Sequence, residues 1–420
     1  MLRRILLSTV LLSGLCAFAS ANEWTQWRGA YRDGVARDAR LPAKLPEKLP
    51  APRWKSYVGE GYSGPVISRG QVFIMGREKD GKEACLSFDS DTGKRLWRQT
   101  HECTFQPPDN RAGKGPNSTP TVDGDRVYML GLGGMFNCLD TKSGKILWQH
   151  NFDKEYWGVV KDKDGMDAWF PVCGTAASAL IDGDRVIIPV GGRKAGSISA
   201  FDRKTGKHLW GALEDRSSYA SPLFADLAGE RQLVGFTGLR MVGMRPKDRK
   251  VLWEHPFTAL FEQTIVTPVI WKDCVIISGE ARPTICMRIT GSGDNIKTET
   301  VWQSAELSAY MVTPLVMKDH LIGMDQRSRR ITCLDLATGK VKWTSPRVSS
   351  YLSLVVAGEH LLALLDSGEL IAIEANTEKY VEQRHWKVSE VGGTWAYLAI
   401  SGSRLYVKDK ETLYCYDLGA

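Results

Sequence analysis

The sequence predicts an all-β protein: an eight-bladed β-propeller of four-stranded antiparallel blades, with a seven-bladed ring as the alternative. Two recurring phrases predict this fold. One has the form Asp-x-x-x-Gly-x-x-x-Trp, and a second phrase, of β-hairpin type, precedes each copy. The composition agrees, because glycine (41 of 420 residues) and tryptophan (14) are both abundant, as expected where turns and one large aromatic side chain recur at regular intervals.

The tryptophan phrase predicts a two-stranded hairpin that ends in a large aromatic side chain. Its glycine supplies the positive φ angle that a tight turn needs, and the tryptophan lies on the strand after the turn. Four copies keep all three positions: Asp89/Gly93/Trp97, Asp140/Gly144/Trp148, Asp202/Gly206/Trp210 and Asp335/Gly339/Trp343. Three other units keep the tryptophan without the complete phrase, namely those of Trp253, Trp302 and Trp386.

The second phrase predicts the other hairpin of each unit. Its strongest copies, residues 122–130 and 181–189, place an Asp-Gly turn between two apolar strands. Eight copies of varying strength occur, so each unit holds about four short strands. Eight units between residues 52 and 420 correspond to roughly 46 residues per unit, a length typical of a four-stranded propeller blade. The seven-bladed alternative applies if one weak copy is misread.

The two ends of the repeat region predict how the ring closes. The last hairpin, residues 400–408, is not followed by a tryptophan strand, whereas Trp54 lies on a short segment before the first hairpin. An N-terminal strand that completes the C-terminal blade leaves no unpaired edge. We therefore expect one propeller domain over residues 52–420, preceded by a leader segment at 22–51.

Residues 1–21 have the pattern of a secretory signal peptide. Arg3 and Arg4 precede an apolar stretch, and small residues follow it up to Ala21. We expect cleavage near Ala21-Asn22 and an exported mature protein, either periplasmic or secreted. No other stretch is long and apolar enough to predict a transmembrane segment. The net charge is +7, and the basic residues are scattered along the chain without a long run, which argues against nucleic-acid binding. We also expect a monomer.

The tryptophan phrase resembles the docking motif of secreted bacterial propellers with PQQ-like (quinoprotein-like) repeats. That family includes quinoprotein alcohol dehydrogenases and the propeller subunit of the outer-membrane assembly machinery. The segment WTQWRGAYRDGVA at 24–36 is similar to the leader of exported planctomycete members. The resemblance covers residues 52–420 and implies the fold without implying one function. It implies that eight tryptophans pack against a neighbouring blade: Trp54, Trp97, Trp148, Trp210, Trp253, Trp302, Trp343 and Trp386.

The cysteines are interpreted against the repeats. Eight of the nine follow the signal peptide, and most lie at strand positions that hold alanine in other units, which predicts small buried side chains. Cys103 and Cys173 lie instead in two neighbouring irregular connections, so we hypothesise a disulfide between them. No C-x-x-C pair occurs, and no metal site is predicted.

Two connections between units, residues 98–119 and 149–176, are about twice as long as the others. Long links on one face of a propeller carry function more often than the blades do. The second link contains four aromatic residues suited to contact with a sugar, peptide or protein: Tyr156, Trp157, Trp169 and Phe170. The alternative is a loop that folds on its own apolar side chains.

A second candidate site lies at the channel axis. Residues three or four positions before each first strand are expected to surround the mouth of the central channel, and six of them are candidates for ligand binding: Tyr62, Asn117, Tyr219, Tyr310, Tyr351 and Trp395. A ring of aromatic side chains suits a planar or carbohydrate ligand. The alternative is that these rings fill and rigidify the axis.

The sequence shows no nucleophile elbow, P-loop or dinucleotide-binding fingerprint, and no catalytic residues are predicted. We therefore predict an exported, non-catalytic binding or scaffold module for a protein, peptide or glycan of the cell envelope, without a cofactor. The resemblance leaves one enzymatic alternative open, a dehydrogenase of alcohols or sugars that uses pyrroloquinoline quinone (PQQ) with calcium. Many such enzymes have an adjacent cysteine pair, which this sequence lacks.

Overall fold

The computed structural model describes residues 23–105, 113–157, 173–192, 194–259 and 263–419. It confirms the predicted fold: eight antiparallel sheets of four propeller strands surround a central channel. Regular structure within these ranges is almost entirely β, apart from a short π-helical turn at Asp153–Trp157. Across the same ranges, no helix is long and apolar enough to cross a bilayer. The signal peptide predicted at 1–21 and its cleavage site lie outside the described residues.

The strands are numbered in chain order from β1 (Val35–Ala36) and β2 (Trp54–Tyr57). Blade 1 consists of β3 (Val66–Ser68), β4 (Gln71–Arg77), β5 (Glu83–Asp89) and β6 (Arg95–His101); blade 2 of β7 (Thr121–Asp123), β8 (Arg126–Leu130), β9 (Met135–Asp140) and β10 (Ile146–Asn151); blade 3 of β11 (Leu180–Asp182), β12 (Arg185–Pro189), β13 (Ile198–Asp202) and β14 (His208–Ala212); and blade 4 of β15 (Leu223–Leu227), β16 (Glu230–Phe236), β17 (Arg240–Arg245) and β18 (Lys250–Pro256).

The second half of the ring repeats this arrangement. Blade 5 consists of β19 (Val269–Trp271), β20 (Cys274–Gly279), β21 (Arg282–Ser292) and β22 (Asn295–Ser304); blade 6 of β23 (Leu315–Met317), β24 (His320–Asp325), β25 (Arg330–Asp335) and β26 (Val341–Arg347); blade 7 of β27 (Leu352–Ala357), β28 (His360–Leu365), β29 (Glu369–Glu374) and β30 (Glu382–Lys387); and blade 8 of β31 (Ala399–Ser401), β32 (Arg404–Lys408) and β33 (Thr412–Asp417).

Blade 8 is completed by β2, as predicted. This strand pairs with β33 in antiparallel register, with Trp54 opposite Cys415. The sheet order is β2-β33-β32-β31, so the N-terminal strand takes the outer position of the C-terminal blade. Closure by a strand from the other end of the chain joins the termini and leaves no gap in the ring.

The turn of each complete tryptophan phrase is held by its aspartate. In blade 2 the Asp140 carboxylate accepts hydrogen bonds from the backbone N–H of Ser143 at 2.8 Å and from its hydroxyl at 2.6 Å. These donors lower the pKa of Asp140 from its ordinary value. The Gly144 N–H donates to the Asp140 carbonyl, and Gly144 has a φ angle of 69°. The phrase therefore encodes a turn that only glycine completes without strain.

Tryptophan docking joins one blade to the next. The indole N–H of Trp97 in blade 1 donates to the Thr141 carbonyl in the turn of blade 2 at 2.8 Å, and its ring lies against Gly144. A Cβ atom added to Gly144 would lie 2.6 Å from that ring. The same pair of contacts, to a turn carbonyl and to the turn glycine, occurs for Trp54 with Gly93, Trp148 with Gly206 and Trp302 with Gly339.

Other tryptophans dock differently where the following blade lacks the glycine turn. Trp253 donates to Gln232 within its own blade at 2.7 Å. Trp343 packs beside Tyr380 of blade 7, and its indole nitrogen has no hydrogen-bond partner within the described residues. Trp386 donates to the carbonyl of Glu47, which belongs to the leader segment. The docking geometry implied for all eight is thus followed only where the partner turn is present.

The leader segment crosses the channel, and we call residues 23–36 the channel plug. Trp24 exchanges two backbone hydrogen bonds with Ile67 of blade 1. Two blades away, with blade 8 between, β1 pairs in parallel with β27, so blade 7 gains a fifth strand at its inner edge. The plug also bonds through Arg32 to the edges of blades 3 and 4, and blade 3 lies opposite blade 7, so the plug spans the axis and closes one end of the channel.

Two arginines of the plug are buried inside the ring. The Arg32 guanidinium donates to the carbonyls of Ser178, Ala179 and Pro222, which belong to the edges of blades 3 and 4. Arg28 donates to the Pro314 carbonyl before blade 6 at 2.6 Å. Burial lowers the pKa of Arg32 to about 9 and also lowers that of Arg28. The carbonyls supply the partners that a buried guanidinium requires.

Replacing the docking glycine should destabilise the ring more than replacing an unpacked one. We expect Gly144→Ala to lower the free energy of unfolding by about 1–3 kcal/mol more than Gly124→Ala does. Both glycines have positive φ angles, 69° and 62°, so both variants carry the same backbone strain of about 1–2 kcal/mol. Only Gly144 faces a ring; nothing lies within 4 Å of a Cβ at Gly124. Denaturant titration measures both losses, and equal losses would contradict the docking role.

Candidate functional site

A cavity of about 680 Å³ lies on the channel axis, and the plug forms its floor. All six residues predicted to surround the channel mouth line this cavity. They belong to the links that lead into blades 1, 2, 4, 6, 7 and 8. Because the blades repeat around the axis, equivalent positions of these links lie at the same end of the channel. The described lining includes seven aromatic residues: Trp27, Tyr62, Tyr219, Tyr310, Tyr351, Trp395 and Tyr397.

Three stacked rings form one wall of the cavity. Trp395 lies between Tyr62 and Tyr351, with ring centroids 5.1 Å and 5.2 Å apart and interplanar angles of 25° and 20°. The three residues come from the links into blades 8, 1 and 7, which are neighbours in the ring. Offset stacking of this kind contributes about 0.5–1.5 kcal/mol per pair beyond burial. The wall is therefore a rigid aromatic surface built from three blades.

Tyr219 and Tyr310 line the cavity from the links into blades 4 and 6. The Tyr219 hydroxyl accepts a hydrogen bond from the backbone N–H of Cys173 at 3.1 Å, and burial raises its pKa. The Tyr310 hydroxyl donates to the side-chain oxygen of Gln263 at 3.3 Å. Gln263 in turn approaches the Cys173 sulfur at 3.7 Å. These contacts connect four links at the cavity mouth.

The floor contains two aromatic residues that the sequence did not single out. Trp27 of the plug meets Tyr397 edge to face, with centroids 5.4 Å apart. The Tyr397 hydroxyl accepts from the Thr313 N–H at 2.9 Å. Tyr397 was within reach of sequence reasoning, because it lies two residues after Trp395 in the same link. Trp27 was not, because no repeat position indicates where the leader goes.

The described cavity lining carries one carboxylate, that of Glu280, and no lysine, arginine or histidine. Glu280 lies in the turn between β20 and β21, on the same face as the links. It is partly buried, and burial raises its pKa. Sequence reasoning missed Glu280 because it considered only the links, although the turns between second and third strands point to the same mouth.

Of the four aromatic residues predicted for ligand contact in the second long link, Trp157 lies elsewhere than predicted. Trp157 is completely buried, and its indole N–H donates to the Val190 carbonyl in blade 3 at 2.8 Å. Its ring packs on Phe152 and fills the space between blades 2 and 3. The prediction that Trp157 contacts a ligand is therefore wrong, because no part of it reaches solvent. Tyr156 is partly buried beside Phe152. Trp169 and Phe170 lie outside the described residues.

Cys103 and Cys173 are both thiols in the structure, so the disulfide hypothesised between them is not formed. The two cysteines have different surroundings. Cys173 faces Tyr219 and lines the cavity. The carbonyl of Cys103 accepts from the buried guanidinium of Arg77 at 2.9 Å, and burial raises the pKa of its thiol to about 11.

A buried lysine supports the link that carries Tyr62. The Lys408 ammonium is wholly buried and donates to the carbonyls of Gly61, Asp409 and Lys410 at 2.5, 3.1 and 3.0 Å. Desolvation lowers its pKa to about 7. Lys408 thus fastens blade 8 to the backbone just before the first ring of the aromatic wall.

The described lining does not fit PQQ, the cofactor that the resemblance implies under the enzymatic alternative. PQQ is a tricarboxylate, and Glu280 would repel it while no cationic side chain of the described lining would offset its charge. Within the described ranges, no group of three or more His, Cys, Asp or Glu residues is arranged to hold a calcium ion.

Comparison with known proteins gives two kinds of relative. The family profile described as "Outer membrane protein assembly factor BamB" matches residues 81–345. A protein of that name from Shewanella oneidensis is 21% identical over 336 residues, which cover 78% of this chain and 68% of that protein. The quinohemoprotein alcohol dehydrogenase ADH IIB from Pseudomonas putida is 30% identical over 128 residues, which cover 30% of this chain and 16% of the enzyme.

Among solved structures, the quinohemoprotein alcohol dehydrogenase from Comamonas testosteroni has a similar fold. The TM-score is 0.64 at 13% identity, with 95% of this chain and 81% of that chain covered. At this identity the likeness concerns the fold alone, since one propeller fold hosts several functions.

Protein stability should depend on pH through Lys408. The folded pKa of about 7 lies below the ordinary value of 10.5, so above pH 7 the unfolded chain binds more protons and stability rises with pH. We expect the difference in unfolding free energy between wild type and Lys408→Met to grow by about 2 kcal/mol in favour of wild type from pH 7 to pH 9. Denaturant titrations at both pH values measure it. The exposed Lys410→Met serves as control, and parallel pH profiles for wild type and Lys408→Met would contradict the shift.

Proposed function

Because the chain belongs to the family described as outer membrane protein assembly factor BamB, we propose that it is a non-catalytic scaffold of the cell envelope that binds a protein partner in its aromatic cavity. The relative from Shewanella oneidensis is named as an assembly factor. From that name we extend to this chain only the broader role of a binding scaffold. Export through the predicted signal peptide is part of this proposal.

The observation that carries the proposal is the aromatic cavity itself. Its volume of about 680 Å³ falls in the range of specific binding sites, and tyrosine and tryptophan dominate its described lining. These residues are the ones that most often supply binding energy at protein interfaces, because they bury a large area with few rotatable bonds. The plug and the stacked wall hold the cavity in shape before a partner arrives, which lowers the entropy cost of binding.

Replacing the central ring of the wall should abolish partner capture. We expect wild-type protein to retain an envelope partner in a pull-down from an envelope extract and Trp395→Ala to lose it. Tyr57→Ala is the matched control, because Tyr57 is 47% exposed on the outer strand β2, away from the cavity. Thermal unfolding of each variant confirms that it is folded. Identical partners for wild type and Trp395→Ala would contradict the proposal.

A further variant examines the second long link. Deletion of residues 158–172 removes Trp169 and Phe170 but none of the described residues that line the cavity. Loss of the partner from this variant, with retention by Tyr57→Ala, would add the link to the binding site. Retention by the deletion variant together with loss from Trp395→Ala would assign binding to the cavity alone.

A quinoprotein dehydrogenase is the second candidate, and the segment related to the Pseudomonas putida enzyme favours it. Reconstitution with PQQ and calcium, followed by a dye-linked alcohol oxidation assay, tests it directly. We expect no oxidation, because the described lining has no cationic group to hold a tricarboxylate. Turnover that requires both PQQ and calcium would overturn the scaffold proposal.

A further inference from the structure

The charge of the cavity differs from that of the whole chain. The sequence carries 55 lysines and arginines against 48 acidic residues, yet the described cavity lining includes one carboxylate and no basic side chain. Arg28, a buried cation of the plug, does not line the cavity; it lies beside Trp27 and donates to backbone carbonyls. The cavity surface therefore offers a negative charge and aromatic rings within a basic protein.

Among the residues that the structure describes, the Glu280 carboxylate has no hydrogen-bond or ion-pair partner. The equivalent turn of blade 1 shows the contrast. There Glu78, also the first residue after the second strand, accepts from Arg98 at 2.7 Å. Glu280 is partly buried at the cavity without such a partner. Partial burial of a carboxylate without a counter-ion is unfavourable, and a cationic group that enters the cavity would offset this cost.

The aromatic lining favours the same kind of ligand. The negative faces of tyrosine and tryptophan rings attract ammonium and guanidinium groups, and the attraction strengthens where water is excluded. No described aromatic ring stacks on Tyr219 in the lining, in contrast to the three rings of the stacked wall. One carboxylate together with several ring faces is the arrangement that recognises an organic cation.

We propose that the cavity binds a basic side chain, lysine or arginine, presented by the protein partner, with Glu280 as its counter-ion and the aromatic lining around its stem. This inference rests on the proposed scaffold function and names the chemistry of the bound group. The volume of about 680 Å³ has room for the side chain and its flanking backbone. An anionic group is disfavoured by Glu280, and a neutral sugar would leave the carboxylate unpaired.

The test compares two peptides that differ in charge alone. The probes are acetyl-Gly-Arg-Gly-amide and acetyl-Gly-citrulline-Gly-amide, whose side chains have the same shape, titrated into the full-length chain by calorimetry. We expect the arginine peptide to bind at least about tenfold more tightly than the citrulline peptide. We also expect Glu280→Gln to reduce the arginine affinity to that of citrulline. Equal affinities in wild type, or an unchanged preference in Glu280→Gln, would overturn the inference.

The matched control is Glu299→Gln, which removes the same charge from an exposed position on the outer strand β22. It should leave the arginine preference unchanged, and a loss equal to that of Glu280→Gln would overturn the assignment to the cavity. Thermal unfolding verifies that each variant is folded. N-acetylglucosamine is titrated in parallel; binding that depends on Trp395 and not on Glu280 would replace the cation with a neutral sugar.

The outcomes separate this inference from the function on which it rests. If Trp395→Ala loses the envelope partner while the two peptides bind equally, the scaffold proposal stands and the cationic ligand is wrong. If the arginine peptide is preferred through Glu280 while Trp395→Ala keeps its partner, the cation site stands and partner binding in the cavity is wrong.

Discussion

The contact between a tryptophan and the glycine turn of the next blade is the interaction on which the ring depends. It works because two local features meet: the aspartate fixes a turn that exposes a bare glycine backbone, and the preceding blade ends in a flat ring that covers it. Trp97 and Gly144 show this geometry in full. Where a blade supplies both a ring and a glycine turn, as blades 1, 2, 3 and 6 do, one short phrase specifies the fold within a blade and the joint between blades.

The positions where this contact fails explain the role of the leader. Blade 7 ends in Trp386, and blade 8 offers no glycine turn to receive it, so the leader supplies the Glu47 carbonyl instead. The leader itself blocks the channel through the plug and places Trp27 in the cavity floor, and the strand β2 that directly follows it closes the ring. Ring closure and the shape of the binding site are therefore produced by one continuous segment, which couples the stability of the ring to the integrity of the cavity.

The candidate site was predictable where it follows from the repeats. Tyr62 and Trp395 are brought together because equivalent positions of a ring converge on its axis, so a sequence offset indicates a shared location. Trp157 was misassigned because an aromatic residue in a long link looks the same in sequence whether it faces solvent or fills a gap between blades. Glu280 was missed because the absence of a counter-ion is a property of its surroundings and not of its own segment.

The sequence by itself determined the repeating blade, the strand order within each blade, the closing strand and the residues that converge on the axis, and it favoured eight blades over seven. Each of these follows from short spacings that repeat, and strand and turn preferences act over a few neighbouring residues. Only the tertiary structure decided the path of the leader, the burial of Trp157 and the charge balance of the cavity. These depend on contacts between segments far apart in the chain, as when Arg28 reaches the carbonyl of Pro314, and no local preference specifies such a partner.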